Sequence, residues 1–178
     1  MIYVTSDLHF NHSNIIKYCN RPFINTFEMN QKLINNWNSV VQRGDSVFVL
    51  GDFMFGRKAE HDADYFLSNL NGNKILITGN HDKKEVINAR GWKEVHKTIY
   101  ETEINGQYIV MCHYPMRSWN HFFRNSWHLF GHVHNKMEPY GLSFDVGVDS
   151  WNYMPISFDQ VKEKMNSLSA KNEQDYNK

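Results

Sequence analysis

Residues 74–84 read KILITGNHDKK: a run of β-forming residues, Lys74 to Ile77, that stops on a glycine, an amide, an imidazole and a carboxylate. Gly-Asn is good turn chemistry, so this ending alone reads as a solvated loop. It also reads as a rigid mount with polar groups at its tip, and four other segments repeat the pattern. The apolar run Ile2-Tyr-Val-Thr5 leads to Asp7-Leu8-His9, and Val47-Phe-Val-Leu50 leads to Gly51-Asp52. Tyr108-Ile-Val-Met-Cys112 ends on His113, and Trp127-His-Leu-Phe130 is followed by Gly131-His132-Val133-His134. Five predicted strands therefore carry polar tips at their C-terminal ends, the edge at which open α/β sheets bind ligands. Singly, Asp-x-His is a loop or a cap, Gly-Asp a turn, and His113 a satisfied core histidine. Together they have the composition of a transition-metal site, with nitrogen and oxygen donors and no thiolate.

The segments between these strands are helical in period. Ser13 to Cys19 is a short predicted helix, and Asn25, with Glu28 three residues on, caps a second one. Leu33, Ile34, Trp37 and Val41 follow at helical spacing, with Gly44 where a stop is expected. Ala59, Ala63, Phe66, Leu67 and Leu70 form another stripe, closed by Asn71-Gly72. Strand, helix, strand, helix, strand is a parallel α/β layout. From about Thr98 the period changes: Thr98 to Ile104 and Gln107 to Met111 flank Asn105-Gly106, the strongest short hairpin signal. Leu142 to Val146 is a further strand, and a helix starting near Ser157 carries Phe158, Val161 and Met165. The expected organisation is a single domain over residues 1–167 and a polar, frayed tail over 168–178.

Composition bounds the partners. The chain has 178 residues, formal net charge of zero and 41% hydrophobic residues. A general basic field for long nucleic acids or anionic membranes is absent, so a polymeric nucleic-acid partner is not favoured. Cys19 and Cys112 show no C-x-x-C spacing, no apolar run approaches a membrane span, and the N-terminus enters a strand at once, which together suggest a cytoplasmic protein. The ten histidines stand out, because imidazole is the commonest metal ligand.

In this order, Asp7-x-His9, Gly51-Asp52, Gly79-Asn80-His81-Asp82, His113 and Gly131-His132-x-His134 resemble the five-block signature of the calcineurin-like metallophosphoesterases. The resemblance runs from residue 3 to about residue 156 and is strongest to the small, uncapped branch of that superfamily, to which "SDLHFNHSNII" and Val148 to Pro155 are also similar. It implies an α/β (α+β) sandwich of two abutting mixed β-sheets flanked by helices, with a dinuclear metal site at the C-terminal ends of the strands. Carried over by motif, the first ion takes Asp7, His9 and His134, the second takes Asn80, His113 and His132, and Asp52 bridges them. The ions expected are divalent transition metals, manganese first, with iron, nickel, cobalt and zinc as alternatives. His81 by the same analogy is catalytic, a proton donor or charge stabiliser beside the leaving oxygen, and Asp82 orients the loop. Two ions about 3.5–4 Å apart with a bridging carboxylate activate a shared water as a bridged hydroxide and polarise a phosphoryl oxygen.

Substrate contacts must come from loops. Arg117 is the candidate phosphate clamp, because guanidinium grips phosphate as a fork. Asn11, His12 and Asn14 lie at a helix start that favours anions, with N-capping the competing role for Asn14. Phe53, Phe55, Trp119, His121 and Trp151 are candidates to stack a base. The reaction expected is metal-dependent hydrolysis of a small phosphodiester, a cyclic or short nucleotide. A phosphomonoesterase or pyrophosphatase with the same centre is the alternative, and a non-catalytic scaffold of the same fold is a third. Native substrate and oligomeric state stay open.

Overall fold

Along the first strand, β1 (Ile2–Thr5), successive side chains face opposite sides: Tyr3 enters one hydrophobic cluster and Val4 another. That period of two, repeated strand by strand, builds the layers. The computed structural model describes residues 1–56 and 62–176, with side chains through residue 169. After β1 come α1 (Ser13–Tyr18), α2 (Thr26–Val40), β2 (Ser46–Val49), α3 (Ala63–Asn69), β3 (Asn73–Ile77), α4 (Lys84–Ile87) and β4 (Trp92–His96). A hairpin of β5 (Ile99–Ile104) and β6 (Gln107–Cys112) follows, then β7 (Trp127–Phe130), β8 (Ser143–Asp145), β9 (Ile156–Ser157) and α5 (Phe158–Tyr176).

The first sheet runs β4-β3-β2-β1-β9, with β1 to β4 mutually parallel and β9 antiparallel to β1. The second runs β5-β6-β7-β8 and is antiparallel only between β5 and β6. Val47, Val49 and Leu76 face the helices and pack with Leu33, Trp37 and Phe66. Phe48, Leu50, Ile75 and Ile77 face the second sheet and pack with Ile109, Met111, Leu129 and Val161. Strands buried on both faces are why these segments read as continuously apolar. The two-sheet sandwich matches the expected fold.

Local chemistry sets the joints. Asn25 accepts the Glu28 N–H at 2.9 Å, as a cap should. Asn105 and Gly106 both have positive φ, 52° and 81°, the backbone of a two-residue hairpin turn. The second helix ends at Val40, short of Gly44, because Asp45 closes the turn instead: its Oδ2 accepts the Gln42 N–H and its Oδ1 the N-terminal ammonium of Met1. The edge strand β4 was not expected, since Lys93, Glu94 and Val95 are exposed and its pattern is not apolar. Ala59 lies outside the described residues. The boundary expected at residue 167 falls inside α5, whose Leu168 is buried and whose backbone stays helical through Tyr176. Among the described residues, no helix is long and apolar enough to cross a membrane.

The two sheets meet at their C-terminal ends. Beyond β1 and β8 a parallel bridge joins Ser6 to Gly147, and Val148 N–H bonds Ser6 O at 3.0 Å. All five polar tips lie on this rim, after β1, β2, β3, β6 and β7.

Candidate metal centre

Each strand leaves the sheet through a sharp turn, and the turn aims the side chain. Asp7, His9, Asp52, His132 and His134 all have positive φ, between 49° and 70°. Such backbone costs an L-residue of order 1 kcal/mol or more, and it persists only where neighbours over-determine it. Here adjacent loops lace together: Asp7 N–H bonds Gly51 O, His9 N–H bonds Asp52 O, and Phe10 N–H bonds Phe53 O. Glycine is required where loops touch. A Cβ on Gly131 would overlap Ser6 Oγ and Asp7 Oδ2, and one on Gly79 would overlap Asp52 Oδ1.

The side chains so aimed form two groups. Ligand atoms of Asp7, His9 and His134 lie within 4.8 Å of one another, as do those of Asp52, His113 and His132. Asp52 stands between them, its Oδ2 3.5 Å from His9 Nε2 and 3.4 Å from His113 Nε2. Asn80 Oδ1 is 3.0 Å from His113 Nε2. All seven residues expected as ligands therefore converge on one cleft, with Asp52 central.

The donor set fits divalent cations by its own electrostatics. His113 Nδ1 lies 2.7 Å from Leu50 O, a partner that only accepts, so Nδ1 carries a proton and Nε2 is turned to the oxygens of Asp52 and Asn80. His134 Nδ1 likewise donates to Asp149 Oδ2 at 2.7 Å, leaving Nε2 turned toward Asp7 Oδ1. His9 Nδ1 is 3.2 Å from His12 Nδ1; with His9 donating, its Nε2 lone pair faces Asp7 and Asp52 as well. Burial lowers the pKa of both His113 and His134, but Asp52 more than reverses this for the first and Asp149 carries the second up to about 10, so protons hold these rings against the carboxylates where divalent cations would replace them. Among the described residues, Asp7 Oδ1 and His9 Nε2 are two of only three buried side-chain polar atoms without a hydrogen-bond partner. Burial pushes the Asp7 carboxyl up to about 7. Burial also pushes Asp52 up, but His113, His9 and the His81 N–H outweigh it and hold Asp52 at about 2.

Behind this set stands a layer that sequence reasoning missed. Arg21, almost fully buried, donates from Nε and Nη2 to both oxygens of Asp149 at 2.8 Å. It also donates to Asp7 O and Leu8 O, at 2.8 and 3.0 Å. One guanidinium thus clamps the strained turn carrying Asp7 and, through Asp149, the tautomer of His134. Asp149 lies inside the family-like stretch Val148 to Pro155; nothing local marked Arg21. Asp82 accepts the N–H groups of Phe53, Asp52 and Gly79, tying two loops together.

His81 donates its N–H to Asp52 Oδ1 at 2.8 Å, and its half-exposed ring holds Nε2 3.9 Å from Asp52 Oδ2. The other candidates divide. His12 is buried, oriented toward His9 and stacked on Phe55 at 4.1 Å; burial lowers its pKa to about 4. It faces a candidate ligand rather than solvent. Asn11 exchanges hydrogen bonds with Asn30 of α2. Asn14 is exposed within α1, and His12 occupies the cap position, so capping is not its role. Arg117 is exposed with its guanidinium 5.2 Å from the Tyr140 ring centroid. Phe53 is core, against Phe10 and Trp92. Trp119 and Trp151 spend their indole N–H groups on Ser126 O and Asp145 O, and His121 stacks on Tyr108. Of the five aromatics, Phe55 is the one beside the cleft, in contact with both His12 and His81.

A family model described as calcineurin-like phosphoesterase matches residues 1–140. An uncharacterized protein of Methanocaldococcus jannaschii is 41% identical over 167 residues, covering 90% of this chain and 88% of its own. The gene 66 protein of Mycobacterium phage L5 is 25% identical over 196 residues, covering 92% and 93%. Among solved structures, a protein of unknown function from Aquifex aeolicus superposes with a TM-score of 0.75 at 25% identity, over 92% of this chain and 98% of that one. The nuclease MPE of Pseudomonas putida shares the fold, with a TM-score of 0.50 and 17% identity over 75% of this chain and 61% of its own.

Proposed function

The chain belongs to the calcineurin-like phosphoesterase family of phosphate-ester hydrolases, and on that premise we propose that it hydrolyses small phosphodiesters, cyclic or short nucleotides, at a dinuclear metal centre. The observation that carries the reading is Asp52 Oδ2, placed between His9 Nε2 at 3.5 Å and His113 Nε2 at 3.4 Å. Asp7, His9 and His134 would hold one ion and Asn80, His113 and His132 the other, with Asp52 placed to serve both. Manganese is the ion proposed first, since hard oxygens and imidazoles make up the whole set. When bound, such a pair lowers the pKa of a shared water and polarises a phosphoryl oxygen.

The chain's own residues do the rest. His81, fixed by its backbone bond to Asp52 and open to solvent on one side, places a proton at the departing oxygen. Asp82 and Arg21 hold the loops so that no ligand has to move during turnover. Small substrates are favoured by the zero net charge, which supplies no long-range field for a polyanion. The free thiols Cys19 and Cys112 suit a reducing compartment, in keeping with a cytoplasmic enzyme.

The test is a panel of mono-, di- and cyclic phosphate esters on stripped protein refilled separately with manganese, nickel, cobalt and zinc. Two ions per chain and preference for diesters support the reading; one ion per chain, or monoesters preferred under every metal, overturns it. His81→Ala should keep both ions and lose about 10²-fold in kcat, with a smaller loss for p-nitrophenyl esters, whose leaving group needs little protonation.

A further inference from the structure

We propose that the cavity on the far side of His81 receives one aromatic ring carried by the leaving group, which makes aryl esters and esters of pyrimidine-sized heterocycles the preferred substrate class. The inference rests on the phosphodiesterase reading of the adjacent centre. The cavity measures about 140 Å³, with Met54, Phe55, Val86 and His81 among its walls and Lys83 and Glu85 at its rim. Its size suits a single ring: an enclosed apolar cavity of ~150 Å³ takes benzene, this one is of that size though open to solvent on one side, and drug-sized ligands need ~300 Å³ or more.

The walls are prepared for a ring. Met54 and Val86 are buried at 4% and 2% exposure and give an apolar floor with a polarisable thioether. Phe55 stays 40% exposed, yet it is held: His12 stacks on it at 4.1 Å, the His81 edge meets it at 5.3 Å, and its N–H bonds Phe10 O at 2.9 Å. A partly exposed phenyl ring held by two ring contacts on an anchored backbone is a preorganised stacking surface. Position completes the case, because His81 walls the cavity and also lies 3.9 Å from Asp52. A ring seated here belongs to the half of the ester that departs past His81. The exposed Lys83 and Glu85 offer one donor and one acceptor to substituents on a heterocycle.

The test separates the ring from the phosphate. The zinc-loaded full chain, labelled at methionine and valine methyls, is titrated with p-nitrophenol and with uracil while NMR shifts are followed. Met54 and Val86 methyls should move saturably, and the response should vanish in Phe55→Ala, a substitution at an exposed position. Turnover should agree: KM for phenyl esters should lie about tenfold below that for propyl esters, and Phe55→Ala should collapse the ratio toward one. Ester hydrolysis with silent Met54 and Val86 methyls, or an unchanged response in Phe55→Ala, overturns the ring site and leaves the phosphodiesterase reading intact. A saturable response without hydrolysis of any ester overturns that reading and keeps the ring site.

Discussion

His113 follows β6 and His128 lies in the neighbouring parallel strand β7; both are buried, and both lie within hydrogen-bond reach of a backbone carbonyl through Nδ1: Leu50 O at 2.7 Å and Val110 O at 3.0 Å. They differ at the other nitrogen. His128 Nε2 accepts the Met116 N–H at 3.2 Å, so its hydrogen bonding is complete, and burial holds its pKa down at about 4. His113 Nε2 faces Asp52 and Asn80; burial pulls its pKa down, but Asp52 more than reverses this and the pKa ends raised. A buried histidine is structural or functional according to whether its second nitrogen meets a donor or a set of oxygens. The sheet interior supplies donors, and the rim supplies oxygens.

The largest effects should come from exchanging those roles. His113→Ala should drop one ion and lower kcat by roughly 10³-fold, the scale of several kcal/mol of metal stabilisation, and should also destabilise the stripped protein, since the buried ring leaves a cavity and Leu50 O without its donor. His128→Ala should destabilise it similarly, by about 2–4 kcal/mol through a cavity and an orphaned N–H, but with both ions retained. Metal content beside urea unfolding of each variant checks the pair; equal metal loss in both would erase the distinction.

Arg21 sharpens the comparison, because it sits in the core and acts at the rim. Arg21→Lys keeps the charge but loses the fork on Asp149. Affinity for the ion at Asp7, His9 and His134 should weaken about 10–100-fold, the usual scale for a residue behind a ligand, with the ion at His113 less affected. Competition with a chelator resolves the two steps.

A third expectation concerns pH. Burial pushes the Asp7 carboxyl in the folded, metal-free chain up to about 7 from its ordinary 3.8, so the stability tied to its proton is complete below 3.8 and lost as pH rises through 7. His9, His12 and His128 run the other way, since their lowered pKa values add stability as pH rises toward 6.5. The difference between Asp7→Asn and wild type isolates the carboxyl. The stripped variant should become the more stable chain across that window, by up to about 4 kcal/mol, and should bind the first ion poorly. Unfolding curves at pH 4, 5.5 and 7.5 measure it; an advantage that does not grow with pH would refute the buried charge.

The smallest effect should be that of salt. With zero net charge, KM for a dinucleotide should change by less than about one log unit per log of salt, the slope of one neutralised phosphate. A steep slope for a long single strand would favour a nuclease acting on polymers.

The rim was legible because its chemistry is written in adjacent residues. Strand, Gly and Asp or His sit within six positions, and burial on both faces makes the strands themselves apolar. What escaped depends on long separations or weak patterns. Arg21 meets Asp149 across 128 positions, and each alone resembles an ordinary charged residue. The strand β4 exposes its central side chains and carries no apolar signal. Among the aromatics, Phe53 and Phe55 were equivalent candidates, yet Phe53 turns inward to the core and Phe55 outward to the cleft. The turn that ends α2 early is closed by the Asp45 side chain on the Gln42 N–H, a bond that the expected Gly44 stop does not announce.

The bridge between Ser6 and Gly147 has a consequence for synthesis. Asp7 and His9 leave the ribosome early, while His132, His134 and Asp149 follow more than a hundred residues later. At ~5–20 residues per second, the nascent first strand waits roughly 6–30 s for the partners that complete its half of the centre. On the proposed ligand assignment, loading of the ion at Asp7 waits until the two sheets have closed, and a truncated chain ending before residue 130 should emerge without it.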